Sequence, residues 1–311
     1  MTHEEKWLLK EKYQGVESNL SAAQAEAFHV DCARLESGEP LSYVIGYVPF
    51  LDCKIYLNSH PLIPRSETEF WVEKAISEIK LYVIASGARQ STINNANVGV
   101  GVDCLPAQAC FVPRNDYEKN EHNLRGETPK IQTYQDRAYV KVLDLCAGSG
   151  AIGAAVAKAV PETEVTFAEI DPALLPTIEK NFFTNIAINR DIGEACYKIL
   201  QSDLFENISE KFDFILTNPP YIDANANTVE DSVMKNEPHL ALFGGEAGME
   251  IIERIITEAP KHLTTTGQLW LEHEPEQIEA ITALAKQNGL TITTHHDQYK
   301  IPRFSVLAMA Q

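Results

Sequence analysis

Nowhere does the chain run to the roughly 20 consecutive apolar residues that a membrane-spanning helix requires. Its first residues, MTHEEKWLLKEKY, lack a basic segment leading into an apolar one, so no signal peptide is expected. Both absences point to a cytoplasmic protein without membrane attachment. Positive charge is scarce: 26 Lys and Arg stand against 44 Asp and Glu, a formal charge of −18. A field of that sign repels phosphate backbones, which argues against nucleic acid and for a basic protein partner. The six cysteines, Cys32, Cys53, Cys104, Cys110, Cys146 and Cys196, include no C-x-x-C pair. That argues against zinc, or any metal site, and leaves reduced, mostly buried thiols. What remains is an ordinary globular composition, 44% hydrophobic and 23% charged, over 311 residues, enough for more than one domain.

The first 40 residues read as two helices; Ala25, Phe28, Cys32 and Leu35 make one apolar face, and Gly38 and Pro40 end it. Residues 43–58, rich in β-formers and bounded by Gly and Pro, predict a β-hairpin. Ser66 and Glu69 stand three apart before an apolar run, the spacing of a capping box, so a helix is expected from near Glu67. Residues 83–137 are rich in Asn, Gly, Gln and Thr without a period, and read as an inserted loop or disordered segment. Beyond them strands and helices alternate: YVKVLDLC, AIGAAVAKAV, EVTFAEI, PALLPTIEKNFFTN, YKILQS, FDFILTN, GMEIIERIITEAPKHL, GQLWLEH and EQIEAITALAKQNG. Such alternation implies a mostly parallel sheet covered by helices on both faces. TITTHH and RFSVLAMA follow without an intervening helix, which predicts an antiparallel strand at the end of the sheet.

Four strand ends carry chemistry. Asp144-Leu-Cys146-Ala147-Gly148-Ser-Gly150-Ala-Ile-Gly153 follows the first strand of the alternating region and opens an Ala-rich helix. Glycines there let the backbone approach a ligand at the carboxyl end of the sheet, although a tight strand–helix turn has the same look. Glu169 ends the next strand, where a carboxylate can accept from both hydroxyls of a ribose or simply face water. Asp171 is expected to cap a helix starting at Pro172. Asp203, in Ser-Asp-Leu-Phe after the third strand, could accept from an exocyclic amine such as adenine's.

The fourth is the most specific: Asn218-Pro219-Pro220-Tyr221, directly after FDFILT. Two prolines have no N–H and fix φ, which holds the preceding carbonyls outside a ladder. The Asn218 side-chain carbonyl and the Pro219 backbone carbonyl can then accept both hydrogens of one –NH₂ group. An amide or aromatic amine is a poor nucleophile because its lone pair is delocalised. Two acceptors orient it and raise its electron density, and Tyr221 offers a flat face for a planar group. With a sulfonium methyl as electrophile, positioning and electrostatics suffice without a dedicated base.

DLCAGSG, Glu169, SDLF and NPPY, in this order, resemble class I S-adenosylmethionine methyltransferases with an amino-nitrogen acceptor. GEPLSYVIGYVPF, LIPRSETE and EPHLALFGGEAGMEII narrow the resemblance to the HemK/PrmC family of peptide-chain-release-factor glutamine N5-methyltransferases, over residues 36–80 and 139–311. The resemblance implies a Rossmann-like α/β fold with a seven-stranded sheet, a small N-terminal helical domain (1–40), a hairpin linker (41–66) and a catalytic domain (67–311). It implies S-adenosylmethionine as cofactor, lined by Asp144, Cys146, Ala147, Gly148, Gly150, Glu169, Asp203 and Asn218. It implies that Asn218, Pro219, Pro220 and Tyr221 hold a glutamine amide, with Asn218, Pro219 and Tyr221 catalytic. The implied partner is the Gly-Gly-Gln loop of a class I release factor, and a monomer is expected. Arg65 and Glu67 fall where the family's linker joins the domains, and Glu69 is read as the helix cap. The N-terminal domain is shorter than the family's, the 83–137 segment is an insertion relative to it, and Cys146 stands where glycine is usual.

Other readings stay open on sequence alone. A DNA amino-methyltransferase shares the need for a planar –NH₂, although the charge and the lack of a basic recognition domain oppose it. A ribosomal-protein glutamine is an alternative acceptor. Gly148-x-Gly150-x-x-Gly153 also satisfies the dinucleotide fingerprint of a nicotinamide-dependent oxidoreductase, and a scaffold without turnover would keep the same fold.

Overall fold

In the computed structural model the described residues are 1–15, 20–95, 139–186, 197–223, 225 and 230–310, with side chains of 87–95 left aside. The chain divides into two compact units, Met1–Leu81 with Tyr139–Gln311, and Tyr82–Ala138. Of the second unit only a helical stretch is described; all else below concerns the first.

The amino-terminal helices are α1 (His3–Tyr13), α2 (Ala22–Glu36) and the short α3 (Leu41–Ile45). Thr2 and Ser21 cap α1 and α2 through full capping boxes. Leu8, Leu9, Phe28 and Val44 form their common core. Asp31, buried among them, is held by Lys12 at 2.6 Å, Arg34 at 3.0 Å and the Tyr13 hydroxyl at 2.7 Å. The hairpin, β1 (Tyr47–Phe50) and β2 (Cys53–Tyr56), is shorter than the sequence predicts, because Leu41–Ile45 folds as α3 and Gly46 ends that helix at φ 93°.

Helix α4 (Ser66–Asn95) follows. The expected capping box does not form. The Ser66 hydroxyl donates to Glu67 (2.9 Å), while Glu69 reaches back to accept from the Leu51 N–H in the hairpin turn (2.6 Å). Residues 83–95, expected as loop, continue this helix; 96–137 of the expected insertion, with Cys104 and Cys110, lie outside the described residues, as does Cys196. Among the described residues Cys53 and Cys146 are free thiols.

The alternating region builds β3 (Val140–Leu145), α5 (Ala151–Ala159), β4 (Thr163–Glu169), α6 (Leu175–Ile186), β5 (Tyr197–Gln201), β6 (Phe212–Thr217), α7 (Asp231–Asn236), α8 (His239–Leu242), α9 (Glu250–His262), β7 (Leu263–Glu272), α10 (Ile278–Gln287), β8 (Leu290–His296) and β9 (Pro302–Met309). The sheet order is β5-β4-β3-β6-β7-β9-β8. The first five of these run parallel; β9 pairs antiparallel with both β7 and β8. The antiparallel strand therefore sits inside the sheet, with β8 at the edge, rather than at the end as predicted. Among the described residues no helix is long and apolar enough to cross a membrane.

One face of the sheet buries Leu143, Leu145, Ile215, Leu269 and Leu271 against Ile252, Ile255 and Ile256 of α9 and Ile281 of α10. Elsewhere the Ala-rich α5 lies close enough to β4 that a Cβ on Gly153 would overlap the Phe167 ring, with Cζ at 2.8 Å. Small residues are what allow that approach. Helix α6 begins at Leu175, later than expected; Asp171 accepts from the Ala173 N–H (2.9 Å) in the turn before it. From α6, Asn181 and Asn185, one helical turn apart, pair with the free edge of β2. Their amide oxygens accept from the N–H groups of Tyr56 (2.8 Å) and Lys54 (2.9 Å), and their NH₂ groups donate to the same residues' carbonyls. Asn181 also donates to the Ser149 carbonyl (2.8 Å), so one side chain joins the hairpin to the glycine-rich turn.

Replacement of Gly153 by Ala forces a methyl into the Phe167 ring. It is expected to destabilise the protein by about 1–3 kcal/mol, read as a lower urea midpoint at unchanged slope.

Candidate active site

The carboxyl ends of β3, β4, β5, β6 and β7 open on the same side of the sheet, where ligands of such folds bind. Two cavities lie there and share Leu62, Asn218 and Ala241 in their walls.

The first cavity is lined by the turn after β3, residues Cys146, Ala147, Gly148 and Ser149, together with Glu169, Ser202 and Asn218. Gly150 (φ 75°) caps α5, and its N–H donates to the Ala147 carbonyl (2.7 Å). Gly148 has φ 56°, and a Cβ there would meet only open space. Cys146 adopts φ 60°, a conformation that favours glycine, which accounts for a small residue at this place. Burial pushes its thiol up, and the neighbouring Glu169 carboxylate adds to the shift.

Glu169 faces this cavity. Its Oε2 accepts from the Gly148 N–H (2.7 Å) and its Oε1 from the Asp171 N–H (3.0 Å). Each oxygen keeps a lone pair for a further donor. Burial pushes this carboxyl up, against the pull of the N–H groups of Asp171, Gly148 and Ile170.

Three residues expected at the cofactor are not in the cavity wall: Gly150, which caps α5, Asp144 and Asp203. Asp144 is fully buried beneath the turn, where its Oδ2 accepts from the Gly153 N–H (2.8 Å). Its Oδ1 has no hydrogen-bond partner among the described residues, and burial holds the carboxyl well above the usual range. Asp203 is not in the cavity wall, although Ser202 and Leu204 on either side are; its carboxylate pairs with Arg254 at 3.0 Å.

The second cavity is lined by Asn218, Pro219, Tyr221 and Arg65, and by four carboxylates, Asp223, Glu230, Glu274 and Glu276. Pro220 faces the first cavity, so the Asn-Pro-Pro-Tyr segment forms the partition between the two. The Asn218 NH₂ donates to the Thr68 hydroxyl (3.0 Å); among the described residues neither its Oδ1 nor the Pro219 carbonyl receives a hydrogen bond. The Tyr221 hydroxyl donates to Glu272 Oε1 (3.0 Å). The tyrosine is held well above its ordinary pKa by burial and by that carboxylate.

The backbone after the motif is clamped. Ile222 exchanges hydrogen bonds with Leu242 and Gly244, each at 3.0 Å, and Gln277 donates to the Tyr221 carbonyl (2.9 Å). Gly244 and Gly248 pass so close that a Cβ on either would overlap the Pro220 or Tyr221 carbonyl. The sequence GGEAG after Leu242 and Phe243 is therefore a packing requirement of the Asn-Pro-Pro-Tyr turn.

Thr68, Glu237, Glu272 and Gln277 were not singled out from sequence. Glu237, buried, accepts from the Ile63 N–H (3.1 Å) and pairs with Arg65, tying the linker across the cavities. Arg65 thus has a partner 172 positions away, while among the described residues Glu67 accepts a side-chain hydrogen bond from its neighbour Ser66 and from no distant residue. The one signal for these residues was that Thr68 and Glu237 lie in the stretches LIPRSETE and EPHLALFGG.

Residues 130–244 match the model of the methyltransferase small domain. The chain is 30% identical over 269 residues to a release factor glutamine methyltransferase of Rhodopirellula baltica, covering 86% of this chain and 72% of that protein. It is 29% identical over 302 residues to one of Bordetella pertussis, covering 96% and 87%. A third, from Lactococcus lactis, is 28% identical over 267 residues, covering 85% and 75%. With the strand order, the glycine-rich turn and the Asn-Pro-Pro-Tyr partition already in place, these similarities show that the chain belongs to the release factor glutamine methyltransferase family.

Proposed function

We propose that this protein transfers a methyl group from S-adenosylmethionine to the side-chain amide nitrogen, N5, of a glutamine in a peptide chain release factor. The observation that carries the reading is the place of Asn218, in the wall common to two cavities, with an amide oxygen that receives no hydrogen bond among the described residues.

The first cavity suits the cofactor. Gly148 leaves room where a side chain would intrude, and Glu169 has acceptors left over for ribose hydroxyls. Ile170, Leu174 and Leu204 supply apolar wall for a purine. Glu169 also suits a cationic ligand. S-adenosylmethionine supplies an electrophilic methyl on a sulfonium. Everything else falls to the chain's own groups. Asn218 Oδ1 and the Pro219 carbonyl accept the two hydrogens of the glutamine amide from the second cavity, and Tyr221 offers the ring on which the amide packs. These acceptors act where positive charge grows on nitrogen, which is where preorganised dipoles contribute most. The carboxylates of the second cavity suit a basic segment of a protein partner. Asp144 supports the turn from below, and Asp203 stands outside the cavity wall, paired with Arg254.

Incubation with labelled S-adenosylmethionine and a purified release factor is expected to label the glutamine of its Gly-Gly-Gln peptide, read by mass spectrometry; label on duplex DNA instead would overturn the reading. Asn218→Ala is expected to lower turnover by about 100-fold or more, with cofactor affinity changed less than about threefold. Equal loss of both would remove Asn218 from the acceptor role. Glu169 must be ionised to accept from two hydroxyls, and burial raises its pKa above the ordinary value of about 4.3. Affinity for S-adenosylhomocysteine should therefore be flat at neutral pH and weaken as pH falls through that raised value. Calorimetry between pH 8 and 5 checks this, and Glu169→Gln should abolish the acid limb.

A further inference from the structure

Glu272 ends β7 and is 1% exposed. Three donors converge on its carboxylate. The Thr68 hydroxyl (2.7 Å) and the Trp71 indole N–H (2.6 Å) both donate to Oε2, and the Tyr221 hydroxyl donates to Oε1 (3.0 Å). Thr68 and Trp71 lie on the first turns of α4 and are buried. Thr68 Oγ1 is at the same time 3.0 Å from Asn218 Nδ2.

The direction of each bond follows from the count of hydrogens. A tryptophan N–H can only donate, so Oε2 is an acceptor. A hydroxyl has one hydrogen, and Thr68 gives it to Oε2. Toward Asn218 it has only lone pairs left, so the side of the Asn218 amide that faces it must be the NH₂. An asparagine amide is otherwise free to present either end with nearly the same shape. Here the chain Glu272, Thr68, Asn218 decides which end turns to the cavities. Were the amide reversed, an NH₂ would meet the NH₂ of the incoming glutamine, donor against donor, and the site could not draw density toward the reacting nitrogen.

We propose that Glu272 and Thr68 are positioning residues that set the direction of the Asn218 amide, and that Glu272 holds the Tyr221 ring by the same carboxylate. Thr68 also lies in the wall of the first cavity, while Glu272 is buried behind it and lines neither cavity. The proposal rests on the reading of Asn218 as the glutamine acceptor.

The variants are Thr68→Val, which keeps the shape and removes the hydroxyl, Thr68→Ser, which keeps the hydroxyl, and Glu272→Gln. Thr68→Val is expected to lower kcat by about 100-fold, with the Kd for S-adenosylhomocysteine within about threefold. Thr68→Ser should stay within about threefold of the parent kcat. Glu272→Gln should fall with Thr68→Val, since one amide oxygen cannot replace both acceptor edges. A readout independent of turnover is the side-chain amide resonance of Asn218, assigned by its absence from Asn218→Ala. The hydrogen that Asn218 donates to Thr68 should be protected from exchange in the parent and in Thr68→Ser, and exposed in Thr68→Val. Parent kcat in Thr68→Val, or protection unchanged by that substitution, overturns the proposal. If the parent protein methylates no glutamine yet shows the expected protection pattern, the functional reading fails while the directed chain of hydrogen bonds stands.

Discussion

Two consecutive prolines at the end of β6 remove the N–H groups that would otherwise continue the strand, and the surrounding structure follows from that constraint. Without a ladder the segment needs other restraints, and several of its polar atoms supply them. The Tyr221 carbonyl is taken by Gln277, its hydroxyl by Glu272, the Asn218 NH₂ by Thr68, and the backbone of Ile222 by Leu242 and Gly244. Asn218 Oδ1 and the Pro219 carbonyl receive no hydrogen bond among the described residues, and neither does the Pro220 carbonyl. An unused acceptor next to a cavity is a binding group held in readiness.

Placing the Glu272 carboxylate in the interior costs several kcal/mol in desolvation. Three hydrogen bonds to a charged acceptor, each contributing roughly 1.5–3 kcal/mol, offset that loss. Burial still pushes its pKa up, against the pull of Trp71, Thr68 and Tyr221. An apolar residue of similar volume would pack there more simply. It could not direct Thr68, and so could not decide which end of Asn218 faces the site.

The linker before α4 does more than connect. Leu62 lies in the walls of both cavities, Pro64 in the first and Arg65 in the second. Glu237 fixes it from the far side through Ile63 and Arg65. The hairpin is bound in turn by Glu69, Asn181 and Asn185, and Asn181 reaches the Ser149 carbonyl in the glycine-rich turn. Movement of the hairpin is therefore coupled by direct hydrogen bonds to the wall of the first cavity.

The sequence by itself determined the doubly wound order of strands and helices, the glycine-rich turn after β3 and the Asn-Pro-Pro-Tyr turn after β6. These are local matters: apolar periodicity, freedom to adopt positive φ, and loss of an N–H are properties of a few consecutive residues. Tertiary structure decided the rest. Ser66 and Glu69 have the spacing of a cap, yet Glu69 found a better donor in the hairpin turn. Asp144 and Asp203 have the right residue type at strand ends, yet one is buried under the turn and the other is paired with Arg254. β9 entered between β7 and β8, where its register satisfies both neighbours. Thr68 and Glu272 are 204 positions apart, and nothing in either neighbourhood announces the other. A buried donor takes whichever acceptor the fold brings within 3 Å or so, and that is settled by how distant segments cross, which no local pattern encodes.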